Sequence, residues 1–170
     1  MNRDALREIQ APLKASYRDD AAAAQVTLRA QGGLGEGVTC SVDTGPAMVA
    51  AGLHPATGGD GLSVCSGDLL LQALVACAGV TLLAVATSLD LPVAAGTVTA
   101  EGDLDFRGTL AVDRAVAVGF QAIRLRFDLD ADLTDDQRTT LLRLTERYCV
   151  VWQTLTSSPR MTSSLCVTNS

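Results

Sequence analysis

The chain has 170 residues, enough for one domain, and 48% of them are hydrophobic, which is typical of a folded protein with a core. Its 13 basic and 19 acidic residues give a net charge of -6, and only 4% of the residues are aromatic, so a nucleic acid is not an expected partner. The N-terminal residues mix charges without an apolar run, so no secretory signal is predicted and we expect a cytoplasmic protein.

The first predicted element is a surface helix over residues 2–16, because Leu6, Ile9 and Leu13 recur at helical spacing. Pro12 is expected to break or kink this helix. We interpret residues 1–20 as an N-terminal extension of a single domain that covers the whole chain, 1–170.

A hairpin is predicted next. Residues 25–30 alternate polar and apolar side chains, 32–37 are rich in glycine, and 38–42 form a second strand. A third short strand is predicted over 47–51, before a loop over 54–61 that contains Pro and several Gly residues.

The longest apolar segment, 69–86, contains no charge and predicts a helix whose start is capped by Ser66 or Asp68. Its 18 residues also reach the lower limit for a membrane span, so a single span is kept as an alternative. The flanking residues are Asp68 and Asp90, without a Lys or Arg anchor, which favours a helix buried in protein. A helix that is apolar on every face must be packed against other residues on every face. A chain this small has few residues to do so, which favours a dimer.

The second half predicts two long strands, over 97–107 and 116–129, with 108–115 as strand running into a turn. A capping box, Thr134-Asp135-Asp136-Gln137, opens the last helix, which is predicted to carry Leu141, Leu144, Tyr148 and Trp152 on one side. A final edge strand is predicted over 161–167. Because strands and helices come in blocks, the predicted fold class is α+β.

The sequence contains five cysteines, and in the cytosol these are expected to be reduced. No pair has CxxC spacing and His54 is the only histidine, so we predict neither a metal site nor a cofactor. The residues Cys40, Cys65 and Cys166 are interpreted as packing residues, because free cysteine packs as a small hydrophobe. The two others, Cys77 and Cys149, lie in predicted helices with a polar residue nearby, Thr81 or Arg147.

Two segments carry a family resemblance. Gly67-Asp68-Leu69-Leu70-Leu71-Gln72-Ala73-Leu74-Val75-Ala76-Cys77 resembles the central-helix signature of the OsmC/Ohr family, and Arg147-Tyr148-Cys149-Val150-Val151-Trp152-Gln153-Thr154-Leu155 is similar to its second cysteine motif. Residues 102–108 and 119–123 also resemble strand segments of OsmC-like proteins.

This resemblance implies an OsmC-like fold, with antiparallel sheets around a long buried central helix in an intertwined homodimer. It also implies a peroxiredoxin-like thiol peroxidase of the oxidative stress response, an organic hydroperoxide reductase. In such members the first cysteine, here Cys77, attacks the peroxide, and the second, here Cys149, resolves it as a disulfide. A dithiol reductant then resets the pair. No nucleic acid and no membrane is expected as a partner.

Peroxidase members of the family also carry an Arg on an early strand or hairpin, which stabilises the thiolate, and a Glu near the start of the central helix, which holds that Arg. The glycine-rich turn of this chain has no Arg, so the resemblance assigns these roles to Arg29, with Arg147 as the alternative cation, and to Asp68. His54 is interpreted as a loop residue. The alternative function is a catalytically weak or inactive OsmC-like protein that binds a small apolar ligand at the dimer interface.

Overall fold

The computed structural model describes residues 3–34, 40–42, 51–62 and 64–167. The helices are α1 (Arg3–Asp19), α2 (Ser66–Ser88), α3 (Phe106–Thr109), α4 (Asp135–Tyr148) and α5 (Val150–Thr156). The strands are β1 (Gln25–Leu34), β2 (Cys40–Val42), β3 (Ala51–Gly52), β4 (Val64–Cys65), β5 (Val93–Asp105) and β6 (Phe120–Ala131). Short 3-10 turns cover Ala21–Ala24 and Pro55–Thr57.

The main sheet has the strand order β2–β1–β5–β6 and is antiparallel throughout, while β3 and β4 form a separate parallel pair. One face of the main sheet packs on α2, and the buried β5 residues Val98 and Ala100 lie on that face. This combination of helices with an antiparallel sheet confirms the predicted α+β class.

The opposite face of the sheet is polar. Arg124 on β6 forms ion pairs with Glu101 and Asp103 on β5, and the Thr27 hydroxyl donates a 2.6 Å hydrogen bond to Asp103. The hydrogen bonds from Arg124 and Thr27 lower the pKa of Asp103 to about 2. Because these ion pairs remain partly exposed, they contribute little to stability, and their charges favour exposure of this face to solvent. The apolar face of the sheet is therefore the one that packs against α2.

The long apolar helix predicted over 69–86 is α2, which extends further at both ends. Its buried side contacts β1, β5, α4 and α5. The buried residues are Leu71, Leu74, Val75, Ala78, Gly79, Leu82, Leu83, Val85 and Ala86. A second row of small and aliphatic side chains on α2 is exposed to solvent in a single chain: Leu70, Ala73, Val80 and Ala84. One apolar row of α2 is thus covered by its own chain and the other is open.

By length and composition alone, α2 could cross a membrane, as the sequence also allowed. However, half of its most apolar 18-residue window is buried inside the fold, against the sheet and two helices of the same chain. Core helices of soluble proteins pass the same test, so this property of α2 is weak evidence for a span.

Several predictions for the first half need correction. The helix α1 is not broken at Pro12 and continues to Asp19, beyond the predicted end at residue 16. The strand β1 continues to Leu34, because Gly32 and Gly33 pair with both β2 and β5 rather than forming the turn. The predicted hairpin is confirmed as the antiparallel β1–β2 pair, whereas most of the predicted strand over 47–51 lies outside the described residues.

Three predictions for the second half are wrong. Instead of continuing as strand, the chain after β5 forms the short helix α3, capped by Asp105, whose carboxylate accepts a 3.0 Å hydrogen bond from the Arg107 backbone N–H. Residues 161–167 are irregular and exposed rather than an edge strand. The last helix is interrupted at Cys149, and Tyr148 is 58% exposed rather than on the buried side. The capping box of Thr134 and Gln137 is confirmed.

Candidate active site

The first thiol of the candidate site, Cys77, lies near the middle of α2. It is half-buried, on the same helical row as the exposed Ala73 and Val80. Its side chain packs against the core cluster that contains Leu74 and Cys149. Because the row beside Cys77 is open, a reactant can approach this thiol from solvent.

The second thiol, Cys149, occupies the break between α4 and α5. Its backbone is extended, with φ -73° and ψ 108°, and its N–H donates to the Thr145 carbonyl at the end of α4. Its Sγ accepts a 3.5 Å hydrogen bond from the Trp152 backbone N–H, which makes Cys149 the N-cap of α5. The β-branched Val150 and Val151 follow directly and have low helix propensity, which favours a break here. At 1% exposure, Cys149 is part of the core.

The structure brings the two thiols together. Burial by itself raises the pKa of Cys77, but hydrogen bonds outweigh that effect and lower its pKa overall. The donors are, in order of importance, the Val151 N–H, the Cys149 side chain, the Val150 N–H and the Thr81 side chain. All of these are uncharged groups. The break before α5 therefore supplies free backbone N–H groups that favour the Cys77 thiolate.

The pKa of Cys149 moves in the opposite direction. Burial, together with the hydrogen bond and charge of Cys77, raises it to about 11, against the opposing effect of the Trp152 N–H. Cys77 is thus the more acidic thiol of the pair, and Cys149 stays protonated at neutral pH. A nucleophile beside a thiol of higher pKa is the arrangement that two-cysteine redox chemistry requires.

The contribution of the Thr81 hydroxyl to the lowered pKa of Cys77 is testable. Thr81→Val keeps the shape of the side chain but removes the donor to Cys77. Losing a hydrogen bond worth about 1 kcal/mol should leave roughly fivefold less thiolate at neutral pH. We expect the midpoint of Cys77 alkylation by iodoacetamide, followed against pH, to rise in this variant. The matched control is Thr87→Val, an exposed threonine on the same helix. Equal midpoints in the Thr81 variant and wild type would contradict the assignment.

The predicted supporting acid, Asp68, does not lie at Cys77. Asp68 lies in the first turn of α2, roughly 13 Å along the helix axis from Cys77. Burial raises the pKa of Asp68, and the nearby His54 opposes that rise. Asp68 does not cap α2 either, because the N-cap is Cys65, which makes no side-chain hydrogen bond there. The predicted cap is therefore wrong.

Of the two arginine candidates, Arg29 lies on β1, opposite Glu101 of β5 in the backbone register. Its predicted role stays a prediction. Arg147 is exposed, with its guanidinium carbon 5.5 Å from the centre of the Tyr148 ring.

The remaining cysteines and the histidine have other environments. Cys65 is half-buried and Cys166 is exposed, so the interpretation of Cys166 as a packing residue is wrong. His54 stacks on Phe106 at a centroid distance of 5.1 Å, and its Nδ1 accepts a hydrogen bond from Ala56. In the ranges that the structure describes, no three His, Cys, Asp or Glu residues lie together in a group that could hold a metal.

A cavity of about 250 Å³ is lined by neighbours of the two thiols in the chain rather than by Cys77 and Cys149 themselves. Two of its walls come from residues next to the thiols, Leu74 on α2 and Trp152 on α5, and the β6 side contributes Phe120 and Ile123. Gly102 on β5 lies against the Phe120 ring, and a Cβ at this position would collide with the ring atoms. The cavity is mainly apolar and thus suits an organic group better than water.

Sequence reasoning found both thiols and Thr81 but missed the backbone donors of Val150 and Val151. The sequence contained a signal for them: two β-branched residues directly after Cys149 in an otherwise helical pattern. The cavity could not be foreseen, because its walls come from residues about 80 positions apart, such as Leu74 and Trp152.

With the geometry established, comparisons define the class of protein. A family model described as OsmC-like protein matches residues 58–164, more than half of the chain and including both thiols. The chain therefore belongs to the OsmC-like protein family, as its motifs predicted. A comparison with curated proteins gives no significant match.

One solved structure is similar over most of the chain. It is the crystal structure of an OsmC-like hydroperoxide resistance protein from Jannaschia sp. CCS1. The TM-score is 0.58 at 15% sequence identity, and the match covers 86% of this chain and 97% of the other. At this identity the similarity supports the fold.

Proposed function

We propose that this protein is a thiol peroxidase that reduces organic hydroperoxides through Cys77 and Cys149. The observation that carries the proposal is the contact between the two thiols, with the pKa of Cys77 lowered and that of Cys149 raised to about 11. Two cysteines that only pack in a core do not need different pKa values, whereas a nucleophilic thiol and its resolving partner do. The name of the similar crystal structure, a hydroperoxide resistance protein, agrees with this function.

In the proposed reaction, the Cys77 thiolate attacks the terminal oxygen of the hydroperoxide ROOH. The O–O bond breaks, the alkoxide takes a proton and leaves as the alcohol ROH, and Cys77 becomes a sulfenic acid. The Cys149 thiol then attacks the sulfur of Cys77, which releases water and leaves a Cys77–Cys149 disulfide. A dithiol reductant restores both thiols by exchange and is itself oxidised to a disulfide.

The preference for an organic peroxide rests on the cavity beside the thiols. Its walls include Leu74, Ile123 and Trp152, and its volume of about 250 Å³ suits a small organic group. Burying that group against apolar walls stabilises the complex by roughly 25 cal/mol for each Å² removed from water. Hydrogen peroxide has no such group and gains nothing from the cavity.

The proposal includes a cytoplasmic homodimer in which a second copy covers the open row of α2. This row consists of Leu70, Ala73, Val80 and Ala84, and leaving such apolar side chains in water is unfavourable. A partner helix along this row would pass Cys77, enclosing the thiol site. No nucleic acid or membrane takes part in the proposed function.

The alternative function, binding of a small apolar ligand without turnover, is favoured by the character of the groups that lower the pKa of Cys77. Among the described side chains and N–H groups, these donors are all uncharged. On this alternative, the cavity beside Trp152 would hold the ligand and the cysteines would serve as packing.

The deciding experiment uses the reduced protein and one equivalent of tert-butyl hydroperoxide, with hydrogen peroxide in a parallel reaction. We expect the loss of two thiols per chain and a disulfide that peptide mapping assigns to Cys77 and Cys149. The organic peroxide should react at least tenfold faster, since only it can use the apolar cavity. Dithiothreitol should then restore both thiols.

The control is Cys65→Ser, which should still form the disulfide. Thiols that remain reduced after an hour with excess tert-butyl hydroperoxide would reject the peroxidase and leave ligand binding as the function.

A further inference from the structure

We propose that the chain has a second binding site, separate from the thiol pair, for a monocarboxylate with an aliphatic chain. The site is a cavity of about 360 Å³ between the C-terminal half of α2, β6 and α4. This volume lies within the range of small-molecule sites, roughly 300–1,000 Å³. The cavity belongs to a different part of the core, because its residues Leu82 and Leu141 pack in one cluster and Cys149 in another.

The lining of this cavity is amphipathic. Of the nine lining side chains in the described part of the chain, eight are apolar, including Phe127 and Leu129 from β6, and the ninth is Arg138 from α4. The Arg138 side chain is 65% exposed, so its guanidinium lies at the mouth while the aliphatic walls lie inside. A ligand that fits must therefore have an apolar body and a single anionic end.

The guanidinium of Arg138 is available to such a ligand. Its ion pair with Asp135 is long, 3.4 Å through one nitrogen, and the Asp135 side chain is 96% exposed. Exposed pairs of this kind contribute little free energy, so a ligand can replace them. A guanidinium presents two parallel N–H groups that match the two oxygens of a carboxylate.

The surrounding charges limit the ligand to one negative charge. The first turn of α4 contains Asp135 and Asp136, which oppose a phosphate or a dicarboxylate near the same mouth. Arg138 lines the cavity whereas Asp135 and Asp136 do not, so a bound ligand contacts the guanidinium, which matches one carboxylate rather than an amine. The chemistry of the site thus favours a fatty acid or a similar monocarboxylate.

Calorimetric titration with sodium decanoate, below its micelle concentration, tests this site on the full chain. We expect one decanoate to bind per chain, and decylamine, with the same chain length and opposite charge, to bind at least tenfold more weakly. Arg138→Gln should weaken decanoate binding about tenfold or more, because it removes a charged hydrogen bond. The control is Arg143→Gln, an exposed arginine of α4 that does not line the cavity.

Two further measurements separate this site from the thiol site. Cys77→Ser should bind decanoate with unchanged affinity, and the fluorescence of Trp152, the only tryptophan, should not change, because it lines the other cavity. Ala131→Leu should abolish binding by filling the cavity while thermal unfolding shows an intact fold.

The proposal would be overturned by no binding to wild type at millimolar decanoate, by equal affinity for decylamine, or by unchanged affinity in Arg138→Gln. Binding accompanied by dissociation of a homodimer would also overturn it, because a second copy would then be the normal occupant.

Discussion

Cys77→Ser is expected to slow the reduction of tert-butyl hydroperoxide by at least about a thousandfold, because a serine hydroxyl is a far weaker nucleophile than a thiolate at neutral pH. The measurement is stopped-flow oxidation of the reduced protein, followed by thiol titration. The structure makes Cys77 the reactive member of the pair, since hydrogen bonds lower its pKa whereas burial raises that of Cys149.

Cys149→Ser should behave differently. The first oxidation should still occur, but no resolving thiol remains, so a sulfenic acid should accumulate and react with dimedone. Cys65→Ser is the matched control, because Cys65 lies at the start of α2, roughly 18 Å along the axis from Cys77. If Cys77→Ser reacts as fast as wild type, or Cys65→Ser loses activity instead, the assignment of the nucleophile is wrong.

Leu71→Ala should destabilise the protein by about 2–5 kcal/mol, the usual cost of truncating a fully buried leucine. Leu71 is 0% exposed and belongs to the cluster that also contains Leu74 and Cys149. Losing this packing should also make the positions of Cys77 and Cys149 less well fixed, because both pack in or against this cluster. The measurement is urea unfolding followed by far-ultraviolet circular dichroism.

The neighbouring residue provides the control. Leu70 is 38% exposed, so Leu70→Ala should cost roughly 1 kcal/mol or less in a single chain. The protein concentration adds a test of the proposed homodimer: if a second copy covers the open row of α2, the cost of Leu70→Ala should grow with concentration. Equal, concentration-independent losses at Leu70 and Leu71 would contradict the packing described for α2.

The parts of the fold that the sequence predicted well are those with a strong local pattern. The uninterrupted apolar run predicted α2, and the alternation of Ile123, Leu125, Phe127 and Leu129 predicted β6. The capping box at Thr134 marked the start of α4, because its hydrogen bonds involve residues only three positions apart.

The errors came where tertiary contacts outweighed local preference. Glycine is a poor strand former, so Gly32 and Gly33 were assigned to a turn, yet cross-strand pairing with Val98 and Thr97 keeps them in β1. Periodicity also predicted Tyr148 on the buried face, but the break at Cys149 ends α4 directly after it. A pattern within one segment contains no information about the partner strand or about a helix end that a distant group stabilises.

The sequence by itself determined the α+β class, the family and the identity of the two cysteines, because these follow from local periodicity and from motifs that are contiguous in the chain. Only the tertiary structure decided which groups surround the thiols. The Val150 and Val151 N–H groups reach Cys77 because α5 docks against α2, whereas Asp68 lies nine residues before Cys77 on the same helix. A thiol's pKa depends on hydrogen-bond donors within a few ångströms, and chain folding brings those donors together from distant parts of the sequence.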